Sequence, residues 1–174
     1  MIIRFAEIPP QGLALEIADQ SWFPDHELKR HGVARAAVTL SRERERVIFA
    51  GWLEATVSLL CDRCLESYRH QVDVRFSLHL ELSGRGEEAT AHGEIEHACS
   101  REEMDTIFLD EDLVDVADLL AQQVFLSLPV KYLCSRDCRG LCSACGSDLN
   151  RGDCGCAVEA KNSPFAVLKV LKTS

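Results

Sequence analysis

The sequence has fewer cationic than acidic residues, and it has no long apolar run. Its 174 residues carry 19 Lys and Arg against 28 Asp and Glu, which gives a formal net charge of -9. Binding along a nucleic-acid backbone needs a basic face, so this balance argues against broad phosphate contacts. No window approaches the ~20 apolar residues of a membrane span, and residues 1–10 lack the apolar run of a signal peptide. We therefore expect a cytoplasmic protein with reduced thiols and no membrane partner.

The sequence also lacks the usual signatures of an enzyme. It has no internal repeat, no glycine loop of the kind that cradles phosphate, and no order of Ser, His and Asp that suggests a triad. No histidine follows His97. A catalytic zinc usually involves His or a carboxylate and keeps a water ligand, so any zinc held beyond His97 would be structural. We expect a protein that is not an enzyme and has no small-molecule substrate.

Cysteine, in contrast, is abundant, and six of the nine cysteines lie between residues 134 and 156. They form close pairs, and thiolates are soft ligands that zinc takes four at a time in a tetrahedron. Paired cysteines at short spacing, in a chain without a secretion signal, favour metal over the alternatives of a disulfide cluster or a redox relay. Glycines recur through this stretch and indicate a loop wrapped on an ion rather than a helix.

The pair Cys142 and Cys145, followed by Gly146, has the spacing of a zinc knuckle, in which the glycine lets the backbone turn tightly. A second pair must complete the site. The last pair closes it most simply, because the eight intervening residues can turn back, and the first pair is the alternative. We predict one structural zinc and six candidate ligands: Cys142, Cys145, Cys154, Cys156, Cys134 and Cys138.

A second metal site is an open alternative. Cys61 and Cys64 are predicted to lie at a turn between two strands, where they could meet Cys134 and Cys138. Such a site requires a long-range contact that no local pattern guarantees. Reduced thiols are the other interpretation of this pair.

Alternating apolar and polar residues predict most of the fold. The alternation is strict from 72 to 82 and indicates a long, half-buried strand. Weaker patterns predict further strands at 33–40, 46–60 and 107–109, and two short strands or a loose hairpin at 2–6 and 13–18.

The polar, glycine-containing stretch 83–105 is expected to be an acidic loop. Three possible ligands lie within it, but their spacing matches no metal site: His92, His97 and Cys99.

Two helices are predicted in the second half of the chain. Asp112 is expected to cap a helix that ends at Pro129 and has apolar residues on one face: Leu113, Val116, Ala117, Leu120, Val124 and Leu128. Phe125 and Leu126 on the opposing side suggest burial around much of its circumference. Ser163 and Pro164 begin a short terminal helix.

Together these elements predict an α+β fold, mainly an antiparallel sheet packed by one buried helix. A small cysteine-rich zinc-binding module and a short C-terminal helix follow. We expect two domains, the sheet and helix over 1–130 and the zinc module with the terminal helix over 131–174.

Three pieces of the chain together resemble one family. They are Cys61 to Glu66 after a strand, Cys138 to Asn150 with the trailing Cys154 and Cys156, and the terminal stretch from Ser163 to Lys172. This order is similar to that of the large ribosomal RNA subunit accumulation proteins, the YceD family, over about residues 45–172. The resemblance implies a role in accumulation or processing of large-subunit (23S) ribosomal RNA, without a known catalytic activity. It implies that zinc is a stabilising accessory, since some relatives lack the later cysteines.

The resemblance leads to a hypothesis and two alternatives. The hypothesis is a ribosome biogenesis factor that engages the large-subunit precursor through a basic ribosomal protein or rRNA, with the acidic region 87–118 meeting a basic partner. One alternative is a thiol-redox or metal-responsive protein that uses Cys61 and Cys64, although a strand-turn-strand setting offers no helix N-terminus to lower a thiol pKa. The other is direct RNA binding by the zinc module through a thin set of cations: Arg136, Arg139, Arg151, Lys161, Lys169 and Lys172.

Overall fold

β-Strands are the main regular structure in the described part of the chain. The computed structural model describes residues 1–44, 46–83 and 105–156. These residues form seven strands, one α-helix and a short 3-10 helix at Phe5–Glu7. The strands are β1 Ile2–Arg4, β2 Leu13–Ile17, β3 Arg35–Glu43, β4 Arg46–Leu60, β5 Ser67–Leu82, β6 Thr106–Leu109 and β7 Leu113–Asp115, and helix α1 is Val116–Ser127.

The chain divides into two compact units. The first contains residues 1–59 and 69–130, and the second contains residues 60–68 and 131–174. Residues 60–68 cluster with the cysteine-rich unit, and two of their side chains contact cysteines beyond residue 131.

A five-stranded sheet dominates the first unit, in the order β2-β3-β4-β5-β6. The predicted strand 46–60 is confirmed as β4, and the strict alternation of 72–82 lies within β5. Strands β2, β3 and β4 pair antiparallel, with Leu15 opposite Val38 and Leu40 opposite Phe49. Phe49 is fully buried and stacks on Phe76 of β5 with ring centroids 5.5 Å apart. Apolar side chains from neighbouring strands thus form the core on one face of the sheet.

Two strand pairings carry no signal in the sequence. Strand β6 is parallel to β5, with Leu80 opposite Ile107, so the sheet is mainly but not wholly antiparallel. Of the two alternatives for residues 2–6 and 13–18, two separate short strands are present and a hairpin is not. Strand β2 joins the large sheet, while β1 pairs with β7 in a two-stranded sheet where Ile3 lies opposite Val114. Alternation identifies a strand but carries no information about the direction or distance of its partner.

The helix begins later than predicted and is less buried. Asp115 rather than Asp112 caps it, and its carboxylate accepts from the Ala117 N–H at 3.0 Å. Leu113–Asp115 instead form β7, a pairing with β1 that no local signal predicts. Phe125 and Leu126 are 37% and 76% exposed, so burial around much of the circumference was a wrong expectation. One face packs inward: Val116, Leu119, Leu120, Gln123 and Val124.

Three predictions lie outside the described residues. They are the acidic loop, the candidate ligands His92, His97 and Cys99 within it, and the terminal helix that begins at Ser163. In the part of the chain that the structure describes, no helix is long and apolar enough to cross a membrane.

Candidate metal centre

The cysteine-rich unit contains a tight turn between β4 and β5. The Cys61 N–H donates to the carbonyl of Glu66 at 3.0 Å, and the Leu65 N–H donates to the carbonyl of Cys61 at 2.9 Å. Leu65 adopts a φ of 60°, in the left-handed region that leucine rarely occupies. These bonds fold the backbone back under Cys61 and Cys64, so that both sulfurs lie on the same side of the turn.

The same turn occurs again at Cys142 and Cys145. The Cys142 N–H donates to the carbonyl of Ser147 at 2.8 Å, and the Gly146 N–H donates to the carbonyl of Cys142 at 2.8 Å. Gly146 has a φ of 75°, close to that of Leu65. The unit therefore contains two knuckles with one hydrogen-bonding pattern. The second knuckle is recognisable in the sequence by its glycine. The first has leucine at the same position and therefore lacks that signal.

The first knuckle meets two cysteines that follow helix α1 by several residues. The Sγ atoms of Cys61 and Cys138 lie 3.7 Å apart, as do those of Cys64 and Cys134. All four sulfurs lie within 4.8 Å of one another. Four sulfurs at ~2.3 Å from a tetrahedral zinc are ~3.8 Å apart, whereas a disulfide bond is ~2.05 Å long. This first cluster thus has the spacing of a four-thiolate metal site.

The second cluster is formed by the second knuckle and the last pair, Cys142, Cys145, Cys154 and Cys156. Its four sulfurs also lie within 4.8 Å of one another. Cys142 is buried and the other three cysteines are exposed, whereas in the first cluster only Cys134 is exposed. Two groups of four cysteines therefore exist in the described chain, and each could hold a metal ion.

Backbone contacts bring the two segments of the first cluster together. Asp62 and Tyr132 form a reciprocal pair: the Asp62 N–H donates to the Tyr132 carbonyl at 2.7 Å, and the Tyr132 N–H donates to the Asp62 carboxylate at 2.7 Å. The Arg63 guanidinium donates to the carbonyl of Cys138 at 2.8 Å. Two partly buried side chains pack against the sulfurs, Tyr68 and Leu133. The residues between the two cysteines of the knuckle thus hold the distant segment.

The second cluster depends on a short loop that turns back on itself. Leu141 and Asp148 form an antiparallel bridge, and the Leu149 N–H donates to the carbonyl of Gly140 at 2.9 Å. Gly140 has a φ of 75°, and a Cβ at this position would lie 3.0 Å from the Arg63 carbonyl oxygen. Only glycine fits both conditions without strain. The loop then continues to the last two cysteines.

The thiols of the first cluster differ in acidity. Burial raises the pKa of the Cys61 thiol, but the N–H groups of Cys134, Cys64 and Arg63 outweigh burial and lower that pKa to about 6. The Cys134 N–H and the N–H groups of the turn thus lower this thiol pKa without a helix N-terminus. The pKa of the Cys134 thiol rises to about 12, chiefly because of its side-chain contact with Cys138, and its contacts with Cys64 and Cys61 add to the effect. A cation among the sulfurs would relieve their mutual repulsion.

The second cluster also contains one thiol with a lowered pKa and one with a raised pKa. The Ser147 hydroxyl and N–H lower the pKa of the Cys145 thiol to about 6. The side-chain contacts of Cys156 with Cys145 and Cys154 raise the pKa of the Cys156 thiol to about 12. Four soft sulfur donors at this spacing, with no nitrogen or oxygen ligand among them, fit zinc in a closed structural site.

The structure distinguishes the pairings that the sequence left open. The second knuckle meets Cys154 and Cys156, as in the simpler of the two predicted arrangements, and Cys134 and Cys138 do not complete it. They meet the first knuckle, which was the open alternative. The supporting roles of Asp62 and Arg63 were not predicted. The signal in the sequence is the pair of charged residues between the two cysteines of the knuckle.

The fold and the site define the class of this protein. It has a β-sheet unit and a cysteine-rich unit with two potential metal sites. The chain belongs to the YceD family: the family model described as large ribosomal RNA subunit accumulation protein YceD matches residues 49–172. The match includes all eight cysteines of the two clusters. The resemblance inferred from the cysteine motifs is confirmed.

Curated relatives agree with this assignment. The chloroplastic large ribosomal RNA subunit accumulation protein YCED homolog 1 of Arabidopsis thaliana is 24% identical over 154 residues, covering 79% of this chain and 48% of its own. The Zea mays protein of that name is 25% identical over 138 residues, covering 69% and 47%. An uncharacterized protein of Mycobacterium tuberculosis is 30% identical over 138 residues, covering 79% and 57%. The chain spans about half the length of these relatives, and no solved structure matches it significantly.

The left-handed backbone of Leu65 generates a testable prediction. Glycine adopts a positive φ freely, whereas alanine there incurs steric strain. Leu65→Gly should therefore be more stable than Leu65→Ala by about 1 kcal/mol, the reverse of the usual order of glycine and alanine. Both variants remove the same exposed leucine side chain, so they control for each other. Chemical denaturation of the zinc-loaded chain measures the difference, and a more stable alanine variant would show that the knuckle geometry is wrong.

Proposed function

We propose that this protein is a non-enzymatic factor that supports the accumulation of large-subunit ribosomal RNA in the cytoplasm. The observation that carries the proposal is membership of the YceD family over residues 49–172. The architecture supports it, because the cysteine clusters consist of four thiols each and offer no open position for a substrate. The relatives are named for the accumulation of this RNA rather than for a reaction.

We propose further that each cluster binds one structural zinc ion, so that the chain carries two rather than the one predicted from sequence. The support is the 3.7 Å separation of sulfurs that lie 77 and 70 residues apart in the chain. Closing a loop of that length has an entropic cost. Metal binding contributes folding free energy and offsets it.

A basic partner on the precursor of the large subunit fits the charges of the protein. The described part of the cysteine-rich unit has five cations and five acids, so two zinc ions with eight thiolates would give it a net charge of about -4. Residues 105–118 contain no cation and six acids: Asp105, Asp110, Glu111, Asp112, Asp115 and Asp118. Such a surface attracts a basic ribosomal protein and repels the phosphate backbone.

The contacts of individual arginines weaken the alternative of direct RNA binding. Arg139 forms an ion pair with Asp153, and Arg151 forms ion pairs with Glu66 and Asp148. Arginines engaged in this way are less available for phosphate. A thiol-redox role is also less well supported, because the more acidic thiol of the first knuckle, Cys61, is fully buried.

Metal analysis tests the proposed zinc sites. The purified full-length chain should contain two zinc ions, and Cys138→Ser and Cys156→Ser should each lower the content by about one, because each removes a ligand from a different cluster. Cys99→Ser is the matched control, since it leaves the eight proposed ligands unchanged, and it should retain both ions. A zinc content near zero, with all nine thiols free to titrate, would refute the proposal.

Deletion of the gene tests the cellular role. Mature large-subunit rRNA should fall relative to small-subunit rRNA, and the wild-type gene supplied in trans should restore the ratio. Quantification of both mature RNAs from the same cells gives the measurement. Equal loss of the two RNAs, or no change in either, would contradict the proposed function.

A further inference from the structure

The loop of the second cluster is attached to the knuckle of the first. The Leu141 N–H donates to the carbonyl of Arg63 at 3.1 Å. Arg151 contacts the Glu66 carboxylate at 2.7 Å. Both contacts join residues 60–68 to the segment that contains the second knuckle and its loop. The two clusters are therefore connected by direct contacts between their supporting segments, and neither is structurally independent of the other.

Asn150 makes the most direct connection between them. Its Nδ2 group donates to the Sγ atom of Cys138 at 3.4 Å, and so contacts a sulfur of the first cluster. Its Oδ1 atom accepts from the Arg139 N–H at 2.8 Å, and Nδ2 also donates to Asp148 at 2.8 Å. These three contacts fix the orientation of the amide. Asn150 itself lies on the loop between Cys145 and Cys154, which the second cluster closes.

An amide N–H that points at a metal-bound thiolate stabilises the negative sulfur, and such supporting bonds typically change metal affinity by roughly 10–100-fold. The position of this amide depends on the loop, and the loop is closed by the cysteines of the second cluster. An ion in the second site would therefore hold the donor in place for the first site. By thermodynamic linkage, an ion in the first site must favour the second by the same factor.

We propose that the two metal sites bind their ions cooperatively, and that Asn150 is the positioning residue that couples them. This inference rests on the zinc binding proposed above and deepens it. It gives the exposed second cluster a role beyond local folding, since loss of its ion would weaken the buried first site. Coupling of this kind favours loading of both sites together, while each site still binds its own ion when the other is removed.

Titration with Co²⁺ under reducing conditions tests the coupling in the full-length chain. Thiolate-to-cobalt charge-transfer absorption reports site occupancy, and a competing chelator sets the free metal. Asn150→Asp keeps the oxygen that accepts from Arg139 but loses the donor to Cys138. It should lower the affinity of the first site by about 10-fold or more and shift its charge-transfer band to lower energy. Gln71→Glu makes the same amide-to-carboxylate change at an exposed position of β5, outside the cysteine-rich unit, so it is the matched control and should bind as wild type does.

A double-mutant cycle separates coupling from a purely local effect of Asn150. Removing the second site with Cys145→Ser and Cys156→Ser should lower the affinity of the first site by a similar factor. Adding Asn150→Asp to that variant should then cause little further loss, because the loop no longer holds the amide in place. Equal effects of Asn150→Asp with and without the second site would overturn the coupling while leaving two metal sites. Failure to bind Co²⁺ at either cluster would overturn the sites themselves.

Discussion

The structure of the cysteine-rich unit depends on one long-range constraint, the meeting of four sulfurs from two distant segments. Cys61 and Cys138 are 77 residues apart in sequence, yet their sulfurs lie 3.7 Å apart. Around this contact the knuckle donates and accepts backbone bonds through Asp62 and Arg63. The apolar cover is slight, so burial alone contributes little against the entropy of ordering these segments. The proposed ion would supply the missing free energy, in the same way as in other small metal-stabilised folds.

The two knuckles have the same backbone conformation but lie in different surroundings. Both use the same pair of hydrogen bonds and both end on a residue with positive φ, Leu65 in one and Gly146 in the other. The first knuckle meets residues far away in sequence and both of its cysteines are buried, whereas the second closes a local loop and has one buried and one exposed cysteine. We infer that the first cluster determines whether the unit assembles. The second keeps its loop, including Asn150, in the conformation that supports the first.

Features that depend on a local residue pattern are predicted correctly from the sequence. Features that depend on a partner far away in the chain are not. Strand β4 was predicted to the residue, since an apolar stretch leads into side chains that alternate between apolar and polar from Leu53 to Leu59. The start of α1 was misplaced because residues 113–115 pair with β1, more than a hundred positions earlier. The first cluster was left open for the same reason, and because Leu65 stands where a knuckle usually has glycine. The second cluster was predicted more completely, since all four of its cysteines lie within fifteen residues.

The pairing of the eight cysteines is the central claim, and a crystal structure with anomalous diffraction at the zinc edge tests it most directly. The account predicts two zinc peaks per chain. One should be surrounded by the sulfurs of Cys61, Cys64, Cys134 and Cys138, and the other by those of Cys142, Cys145, Cys154 and Cys156, at ~2.3 Å from each ion. A single peak bound by Cys134, Cys138, Cys142 and Cys145, or sulfur pairs at the ~2.05 Å of a disulfide, would contradict it.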